Sequence, residues 1–475
     1  MIEIAELAGR VEQELPAGAR EVVRRVTGAG GRICLVGGSI RDLLLGGEAH
    51  DWDFATDLPP EQVRRLFARA IDAGVRFGTV LVLEPDGPFE ITTFRKEGIY
   101  SDARHPDTVV FTTSVEEDLA RRDFTINAMA FDLAARELVD PFGGRDDLAR
   151  RIVRTVGRPD DRFGEDALRM LRCIRIAGQL GFSIDDPTYF AIARSAPLLD
   201  AIARERIREE FDRILGQPRP SVSIERLYET GLLQRFLPEL AACYGVPQNR
   251  YHAFDIFYHS LAAADRAPAD NKIVRLAALL HDLGKVDTRR DEGDGRVTFF
   301  NHQAHSARKA DAALLRLRYP TEERRRVVHL IQQHMFHYDH EWSDSAVRRF
   351  VRTVGLEHLD DLFATRAADT LGNGMRRSAS SPELRELRGR IGEILDREAA
   401  LSVRDLKIGG VELMERLGVR PGPLIGRILA ALLEEVLEDP AKNEPETLLR
   451  RAEELRPAIE AELPARDERH RDRES

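Results

Sequence analysis

The sequence predicts an N-terminal α+β domain, a small mixed sheet with helices, followed by all-helical domains. Short β-rich runs alternate with helical stretches over about the first 150 residues, and helical patterns dominate from about residue 155. Segments rich in proline, glycine or polar residues interrupt the helical part. With 475 residues the chain is too long for one compact core. We place the domains at residues 1–148, 149–245, 246–377 and 378–475.

Composition predicts a soluble globular protein, since 43% of the residues are hydrophobic and 32% are charged. No stretch is long and apolar enough to span a membrane, and the N-terminal segment is acidic, so we expect a cytoplasmic protein that does not bind membranes. The three cysteines are too far apart to predict a disulfide framework. A net charge of −10 argues against nonspecific binding along nucleic acid, although residues 121–175 contain twelve arginines and no lysine.

Seven β-rich runs define the predicted sheet, and they alternate with helical segments such as PPEQVRRLFARA. In chain order the runs are ICLVGG, DWDFAT, VLVLE, FEITTF, VVFTT, AMAFDL and ELVDPF.

The stretch LVGGSIRDLLLGGEAHDWDFAT, residues 35–56, begins with a predicted phosphate site. Gly37 and Gly38 lie between a strand and a helix that begins near Ser39. In this setting, backbone N–H groups and a helix N-terminus can receive phosphate. Arg41 on the first helical turn would add a charge-assisted contact. The alternative is an ordinary Gly-Gly turn.

Asp51 and Asp53 are separated only by Trp52 in a predicted strand. Because side chains alternate along a strand, both aspartates should point the same way, which is unfavourable unless a positive charge lies between them. Mg²⁺ takes such oxygen ligands and shares them with nucleotide phosphates, so the pair is a candidate catalytic metal site. Glu90 in FEITTF is a candidate third carboxylate. The alternatives are capping or surface aspartates and a solvated glutamate.

A second motif is RRDFTINAMAFD, residues 121–132. Arg122 could reach a triphosphate, while Asp123 and Asn127 could bind ribose hydroxyls. Taken alone, the motif could also be a charged helix N-terminus.

The third motif, GEDALRMLRCIRIAG, residues 164–178, predicts an amphipathic helix. Asp166, Arg169, Arg172 and Arg175 recur every three residues on one face, and we expect no acids four residues away to pair with the arginines. A carboxylate accepts a hydrogen bond and a guanidinium donates one. An Asp166–Arg169 pair would therefore select cytosine and adenine, which present an amino donor beside a ring-nitrogen acceptor, and reject uracil and guanine.

These motifs resemble, in order and spacing, those of class II tRNA nucleotidyltransferases, which include CCA-adding enzymes and bacterial poly(A) polymerases. The resemblance is dense over residues 30–240, and residues 203–215, ARERIREEFDRIL, resemble the family's neck helix. It implies that Gly38 and Arg41 bind nucleotide phosphates and that Asp51 and Asp53 hold Mg²⁺. It also implies a tRNA 3′ end as partner. The residues it implies for binding ATP or CTP are Arg122, Asp166, Arg169, Arg172 and Arg175.

Two segments favour complete CCA addition within this family. Residues 74–80, GVRFGTV, are similar to the form found in CCA-adding enzymes, and residues 95–111 resemble a flexible loop of CCA-adding and A-adding members. An A-adding enzyme of a split pathway and a poly(A) polymerase remain alternatives. A noncatalytic RNA-binding protein is an alternative of another class.

The second half carries histidines and aspartates in an order that resembles the HD phosphohydrolase domain. Imidazoles beside carboxylates suit a divalent transition metal such as Ni²⁺, Mn²⁺ or Co²⁺. The resemblance implies His259, His281, Asp282 and Asp369 as principal ligands, with His302 and His334 as additional ones. We expect such a site to hydrolyse phosphoesters, for example a 2′,3′-cyclic or terminal phosphate on RNA ends.

The C-terminal part is predicted to be helical after Pro421, Gly422 and Pro423. These helices could contact tRNA or serve structure alone. The polar tail, residues 463–475, is expected to be disordered.

Overall fold

The computed structural model describes residues 2–49, 51–72, 78–97, 109–249, 253–293, 296–375, 382–397 and 403–462. Three predictions therefore lie wholly or largely outside the described residues. They concern GVRFGTV at 74–80, the loop at 95–111 and the tail at 463–475.

The N-terminal part contains a seven-stranded mixed sheet with the order β3-β4-β5-β2-β1-β8-β9. β2 pairs with β5 in parallel, and the other neighbours in this sheet are antiparallel. β6 and β7 form a separate antiparallel pair. The strands are β1 Ile33–Val36, β2 Phe54–Thr56, β3 Ala70–Asp72, β4 Thr79–Glu84, β5 Gly87–Thr93, β6 Arg95–Glu97, β7 Val109–Phe111, β8 Ala130–Asp132 and β9 Glu137–Val139.

Each of the seven predicted runs contains a strand, but two boundaries were wrong. β2 begins only at Phe54, so Asp51 and Asp53 precede the strand and strand alternation does not orient them. The helix predicted in PPEQVRRLFARA ends at Leu66, and Ala70 begins β3. The helices around this sheet are α1 Ile4–Glu14, α2 Ala17–Gly28, α3 Gly38–Leu44, α4 Pro60–Leu66, α5 Val115–Ala120 and α6 Gly144–Arg150.

The rest of the described chain is almost entirely helical, as predicted. The exceptions are three short strands after residue 155, which the sequence patterns missed: β11 Ser183–Ile184, which pairs with β10 Ile152–Val153, and the pair β12 Arg290–Asp291 and β13 Val297–Thr298. The next helices are α7 Pro159–Glu165, α8 Leu168–Leu180, α9 Asp186–Ser195, α10 Arg204–Leu215, α11 Pro220–Glu229, α12 Leu233–Phe236 and α13 Pro238–Ala241. They are followed by α14 Ile256–Arg266, α15 Lys272–Leu280, α16 Lys285–Thr288, α17 His302–Arg316, α18 Thr321–Gln333, α19 Asp344–Val354 and α20 Leu359–Gly372. The last are α21 Pro382–Arg397, α22 Gly410–Leu417, α23 Pro423–Glu438 and α24 Pro445–Ala461.

Helix α8 packs by the apolar stripe that its sequence predicts, since Met170, Cys173, Ile174 and Ala177 are completely buried. On the side facing α11, Gly178 allows a very close approach: a Cβ atom there would lie 2.0 Å from Oγ of Ser223. This contact holds α8 at a fixed distance from its neighbour.

Helix α15 is joined to the C-terminal end of α10 by a buried arginine. Arg275 is 2% exposed, and its guanidinium donates to the main-chain carbonyl oxygens of Leu215 and Gln217. At the helix ends such carbonyls have no partner within the helix, so a guanidinium there satisfies them.

Cys34, Cys173 and Cys243 are all buried and free. Within the described residues, no helix combines the length and apolar character that a membrane crossing requires.

We predict that Gly178→Ala destabilises the protein, because the added Cβ would overlap Ser223 and disturb its 2.7 Å hydrogen bond to Gln217. The expected loss is about 1–3 kcal/mol in the free energy of unfolding, measured by urea denaturation followed by circular dichroism. Gly9→Ala is the matched control, since Gly9 lies on α1 and the added Cβ would meet no atom within 4 Å apart from its chain neighbours and the backbone of its own helix. Equal unfolding midpoints for the two variants would contradict the close-packing argument.

Candidate active sites

A strand-to-helix turn brings two glycines to the first site. β1 ends at Val36 and α3 begins at Gly38. Gly37 between them has a φ of 76°, which residues with a side chain rarely adopt. A Cβ atom on Gly37 would also lie 3.2 Å from Nη1 of Arg122. The turn therefore needs glycine here, and it places backbone beside a guanidinium, a combination that suits an anion.

Ser39 and Arg41 fasten this turn to the other motifs. The Ser39 hydroxyl donates to the main-chain oxygen of Asp51, which holds the aspartate segment against α3. Arg41 is buried, and its Nη1 donates to Oδ1 of Asn127 at 2.8 Å. Its Nε also donates to Asp42 at 2.8 Å. The side chain predicted to reach phosphate is thus already engaged with two protein partners.

The three predicted carboxylates lie close together beside two central strands of the sheet, since Asp51 and Asp53 precede β2 and Glu90 belongs to its neighbour β5. Phe54 pairs with Ile91 in the parallel β2–β5 ladder, so the preceding residues, Asp53 and Glu90, are neighbours. Burial and then Glu90 raise the pKa of Asp53 to about 6; Arg122 opposes this rise and Asp51 adds to it. Carboxylates that repel one another in this way are an oxygen-donor set that a divalent cation would stabilise, and they fit Mg²⁺.

Arg122 lies between the glycine turn and the carboxylates. Its Nη2 is 3.6 Å from the completely buried carboxylate of Asp118, one helical turn earlier, and burial lowers the pKa of Arg122. The sequence reading missed Asp118, although its spacing of four residues from Arg122 was a signal.

Asp123 and Asn127 form a hydrogen-bonded chain rather than a free ribose site. Oδ2 of Asp123 accepts from Nε and Nη2 of Arg172 at 2.9 and 2.8 Å, and Oδ1 accepts from Nδ2 of Asn127 at 3.2 Å. Burial opposes ionisation, but Arg172 lowers the pKa of Asp123 to about 2. The chain continues from Asn127 to Arg41, so the described side chains already use the groups expected to face ribose.

The arginines of α8 are paired with acids, contrary to the predicted unpaired row. Arg169 contacts Glu165, four residues earlier, at 2.5 Å. Arg175 contacts Glu210 of α10 at 2.7 Å. Because Arg169 and Arg175 are ion-paired, their charge does not by itself indicate that they bind a ligand. The Glu165–Arg169 spacing was visible in the sequence, whereas the contact with Glu210 joins residues 35 positions apart.

Asp166 lies just before α8 and not on it. Its Oδ1 accepts from the main-chain N–H of Leu168 at 3.0 Å, and its Oδ2 accepts from Nη2 of Arg206 at 2.7 Å. Arg206 belongs to α10 and was not among the predicted site residues. Arg169 and Asp166 are still adjacent, because the Arg169 N–H donates to the Asp166 carbonyl oxygen at 3.0 Å.

The predicted ligands of the second site converge, although they come from α14, the end of α15, the start of α17, the end of α18 and α20. The carboxylate of Asp282 lies at the centre. Its oxygens are 3.3 Å from Nε2 of His259, 3.1 Å from Nε2 of His281 and 3.3 Å from Nε2 of His302. The assembled side chains are His259, His281, Asp282, His302, His334 and Asp369.

Three of these histidines present a lone pair to the centre. Nδ1 of His281, His302 and His334 donates to the carbonyl oxygen three residues earlier, at 2.8, 2.9 and 2.7 Å. In the neutral ring Nε2 is then an acceptor, and it faces a carboxylate or another Nε2. His302 and His334 approach each other in this way at 3.4 Å. Acceptors that face acceptors need a cation between them, so the donor set fits a divalent transition metal.

The pKa values in this cluster diverge. Burial opposes protonation of His281, but the Asp282 carboxylate raises its pKa to about 10, so His281 carries a proton that a bound cation would displace. Burial, followed by the neighbouring His281, lowers the pKa of His334 to about 3. His334 is therefore neutral at physiological pH, as a metal ligand must be.

A cavity of about 820 Å³ opens onto this cluster. Lys285 lines it with Nζ 2.7 Å from Asp282, and Arg366 lines it with Nη1 2.9 Å from Asp369. Phe300, which is 70% exposed, lies in the same wall. The sequence analysis did not identify Lys285 and Arg366 as site residues, although Lys285 lies three residues after Asp282.

Three family models match the chain. They are the poly A polymerase head domain at residues 33–154, the RNA- and SrmB-binding site of polymerase A at 181–244, and tRNA nucleotidyltransferase domain 2 at 296–452. The first covers the sheet with its glycine turn and carboxylates, and the second covers α10.

Two similar curated proteins carry the same name. The CCA-adding enzyme of Streptococcus thermophilus is 32% identical over 450 residues, which is 94% of this chain and 98% of that protein. The CCA-adding enzyme of Geobacillus kaustophilus is 45% identical over 221 residues, but that match spans only 46% of this chain and 54% of that protein.

Among solved structures, the crystal structure of the Bacillus stearothermophilus CCA-adding enzyme in complex with CTP is 29% identical. It has a TM-score of 0.70 and covers 95% of this chain and 99% of that chain. The Thermotoga maritima CCA-adding enzyme complexed with tRNA shares the fold at 19% identity and a TM-score of 0.57, covering 96% of this chain and 99% of that chain. With one relative aligned over nearly the whole of both chains, this protein belongs to the class II CCA-adding enzyme family of nucleotidyltransferases.

Proposed function

We propose that this protein adds CMP, CMP and AMP to the 3′ end of tRNA, using CTP and ATP with Mg²⁺ and no nucleic-acid template. The observation that carries the proposal is the position of Asp51, Asp53 and Glu90 beside Arg122 and the Gly37 turn. A nucleotidyltransferase needs this combination of metal-binding oxygens and phosphate-binding groups. The naming of full-length relatives as CCA-adding enzymes supports the same reaction.

In this mechanism the 3′ hydroxyl of tRNA attacks the α-phosphate of the nucleotide, and pyrophosphate leaves. Asp51 and Asp53 would hold Mg²⁺, which supplies charge stabilisation for the transferred and leaving groups. The Gly37–Gly38 backbone and Arg122 bind the triphosphate, and Arg122 offsets the charge that develops on it. Glu90 adds to the negative potential that favours the cation. The hydrogen-bonded chain from Arg41 through Asn127 to Asp123 holds the phosphate-binding groups in a fixed position relative to α8.

We assign base selection to Asp166 and Arg169. The carboxylate accepts from the amino group of cytosine or adenine, and the guanidinium donates to the neighbouring ring nitrogen. Uracil and guanine present the opposite order and would leave buried polar groups unpaired. Arg172 pairs with Asp123 and Arg175 pairs with Glu210. These ion pairs hold α8, and with it Arg169, in position.

The domain division that we propose follows these assignments. Residues 1–148 carry the transfer chemistry, 149–245 select the base and carry the neck helix, 246–377 form the HD domain, and 378–475 contact tRNA. The tRNA complex of the Thermotoga maritima relative supports a tRNA partner for this fold.

We predict that the protein incorporates both C and A, in the order C, C, A. The measurement is incorporation of labelled CTP, ATP, UTP or GTP into tRNA that lacks one, two or three terminal residues. Incorporation of A alone, and only into tRNA ending in CC, would establish the A-adding alternative. Long A tracts would establish a poly(A) polymerase.

We predict that Asp51→Ala combined with Asp53→Ala abolishes transfer while tRNA binding and the fold persist. Loss of the metal ligands removes several kcal/mol of transition-state stabilisation, so the rate should fall by at least about 10²-fold. Asp72→Asn is the control, because Asp72 is exposed at the edge strand β3 and contacts only Arg64, at 3.4 Å, among the described ion pairs. Undiminished transfer by the double variant would remove these two aspartates from the mechanism, whereas no transfer by the unmodified protein would favour the noncatalytic RNA-binding alternative.

We propose a second activity, hydrolysis of a phosphoester at the HD cluster. The supporting observation is the set of imidazole lone pairs around Asp282 at the base of a cavity that Lys285 and Arg366 also line. When bound there, a transition metal supplies a hydroxide near neutral pH by lowering the pKa of water. The two cations would attract the phosphate. A 2′,3′-cyclic or terminal phosphate on RNA is the substrate we favour, because its removal regenerates the hydroxyl that transfer needs.

We predict that the protein retains Ni²⁺, Mn²⁺ or Co²⁺ after dialysis and hydrolyses cyclic or terminal phosphates in the presence of one of them. Both properties should be lost in His281→Ala and in Asp282→Ala, while transfer of C and A continues. His340→Ala is the control, since His340 is exposed and lies outside the cluster. Metal retention without hydrolysis would reduce the cluster to a structural site.

A further inference from the structure

An arginine of the neck helix contacts the residue to which we assign base selection. Nη2 of Arg206 donates to Oδ2 of Asp166 at 2.7 Å, and Nη1 approaches Oδ1 at 3.4 Å. The two side chains are 23% and 16% exposed, so solvent screens the pair only in part. The residues are 40 positions apart in the chain. This contact exists only because α10 lies alongside α8.

The Arg206 contact fixes which hydrogen bonds Asp166 can still make. A guanidinium donates and never accepts, so both carboxylate oxygens of Asp166 face it as acceptors. Oδ1 also accepts the main-chain N–H of Leu168 at 3.0 Å. Two donors from two directions set the plane of the carboxylate. An additional donor must then approach the remaining lone pairs of Oδ2 from a direction that the protein has fixed.

Without Arg206, Asp166 would have other cations to turn towards. Asp166 contributes to the raised pKa of Arg172, behind Asp123 and Glu210, so its charge already acts on that arginine. Arg169 lies one helical turn away. A carboxylate released from Arg206 and attracted to either arginine would no longer face a base.

We propose that Arg206 is a positioning residue for nucleotide selection, which holds the Asp166 carboxylate as the acceptor for the amino group of cytosine or adenine. The inference rests on the proposed function, and specifically on base selection by Asp166. Through Arg206, helix α10 would contribute to the selection of the nucleotide base. Glu210, one turn later on the same helix, contacts Arg175 at 2.7 Å and keeps this face of α10 against α8.

The test compares Arg206→Gln, Arg206→Lys and Asp166→Ala with the unmodified protein. The quantity measured is the ratio of kcat/KM for CTP to that for UTP on tRNA lacking CCA, and of ATP to GTP on tRNA ending in CC. Damage to the fold lowers kcat/KM for every nucleotide and leaves these ratios unchanged. Arg204→Gln is the control, because Arg204 is on the same helix and its side chain donates to the carbonyl oxygen of Arg235 at 3.4 Å.

We expect Arg206→Gln to lower the CTP/UTP and ATP/GTP ratios by about tenfold or more, since one well-placed hydrogen bond to a charged group is worth that much. Arg206→Lys should restore part of the loss, and Arg204→Gln should have no effect. Unchanged ratios in Arg206→Gln, with lower ratios in Asp166→Ala, would overturn this inference alone. Unchanged ratios in both variants would overturn base selection by Asp166, and absence of C or A incorporation by the unmodified protein would overturn the proposed function.

Discussion

The ion pair between the buried carboxylate of Asp123 and the partly exposed guanidinium of Arg172 is the interaction on which the first site depends. It joins the N-terminal part, which carries the glycine turn and the carboxylates, to α8, which carries Arg169 and follows Asp166, the two residues to which we assign base selection. A buried carboxylate is costly unless charged donors surround it. Asp123 meets this requirement with Arg172, with Asn127 and with the main-chain N–H of Phe124 at 2.8 Å. Asp123 therefore links the proposed phosphate-binding and base-selecting groups, together with the hydrogen bond from Arg169 to the carbonyl oxygen of Arg121.

The two sites differ in how their charges are balanced within the protein. In the first, arginines are matched by carboxylates from other elements, so the protein has organised its cations before a nucleotide arrives. In the second, the Nε2 atoms of His281, His302 and His334 are directed towards the carboxylate region of the cluster. Pre-paired guanidinium groups suit a ligand that is bound and released at each cycle. An acceptor cluster suits a resident cation.

Local pattern predicted most of the fold. Alternation located every strand of the main sheet except β3, and the helical period of α8 identified its buried face. The resemblance of the His-Asp order to the HD domain predicted which side chains meet in the second cluster. Local pattern did not predict partners that are distant in sequence, such as Arg206 for Asp166 and Glu210 for Arg175. Those pairs arise from the packing of α10 on α8. The spacing of residues within either helix does not indicate how the two helices pack together.

The Arg275 contact joins two parts of the chain that are distant in sequence. Its buried guanidinium serves the terminal carbonyls of α10, while α15, which carries it, runs directly into His281 and Asp282. Division of the chain between the two helices would separate the guanidinium from the carbonyl oxygens that it satisfies. The halves are therefore poor candidates for exchange as independent modules. Recombination between relatives should preserve both helices together, even where the loops around them diverge.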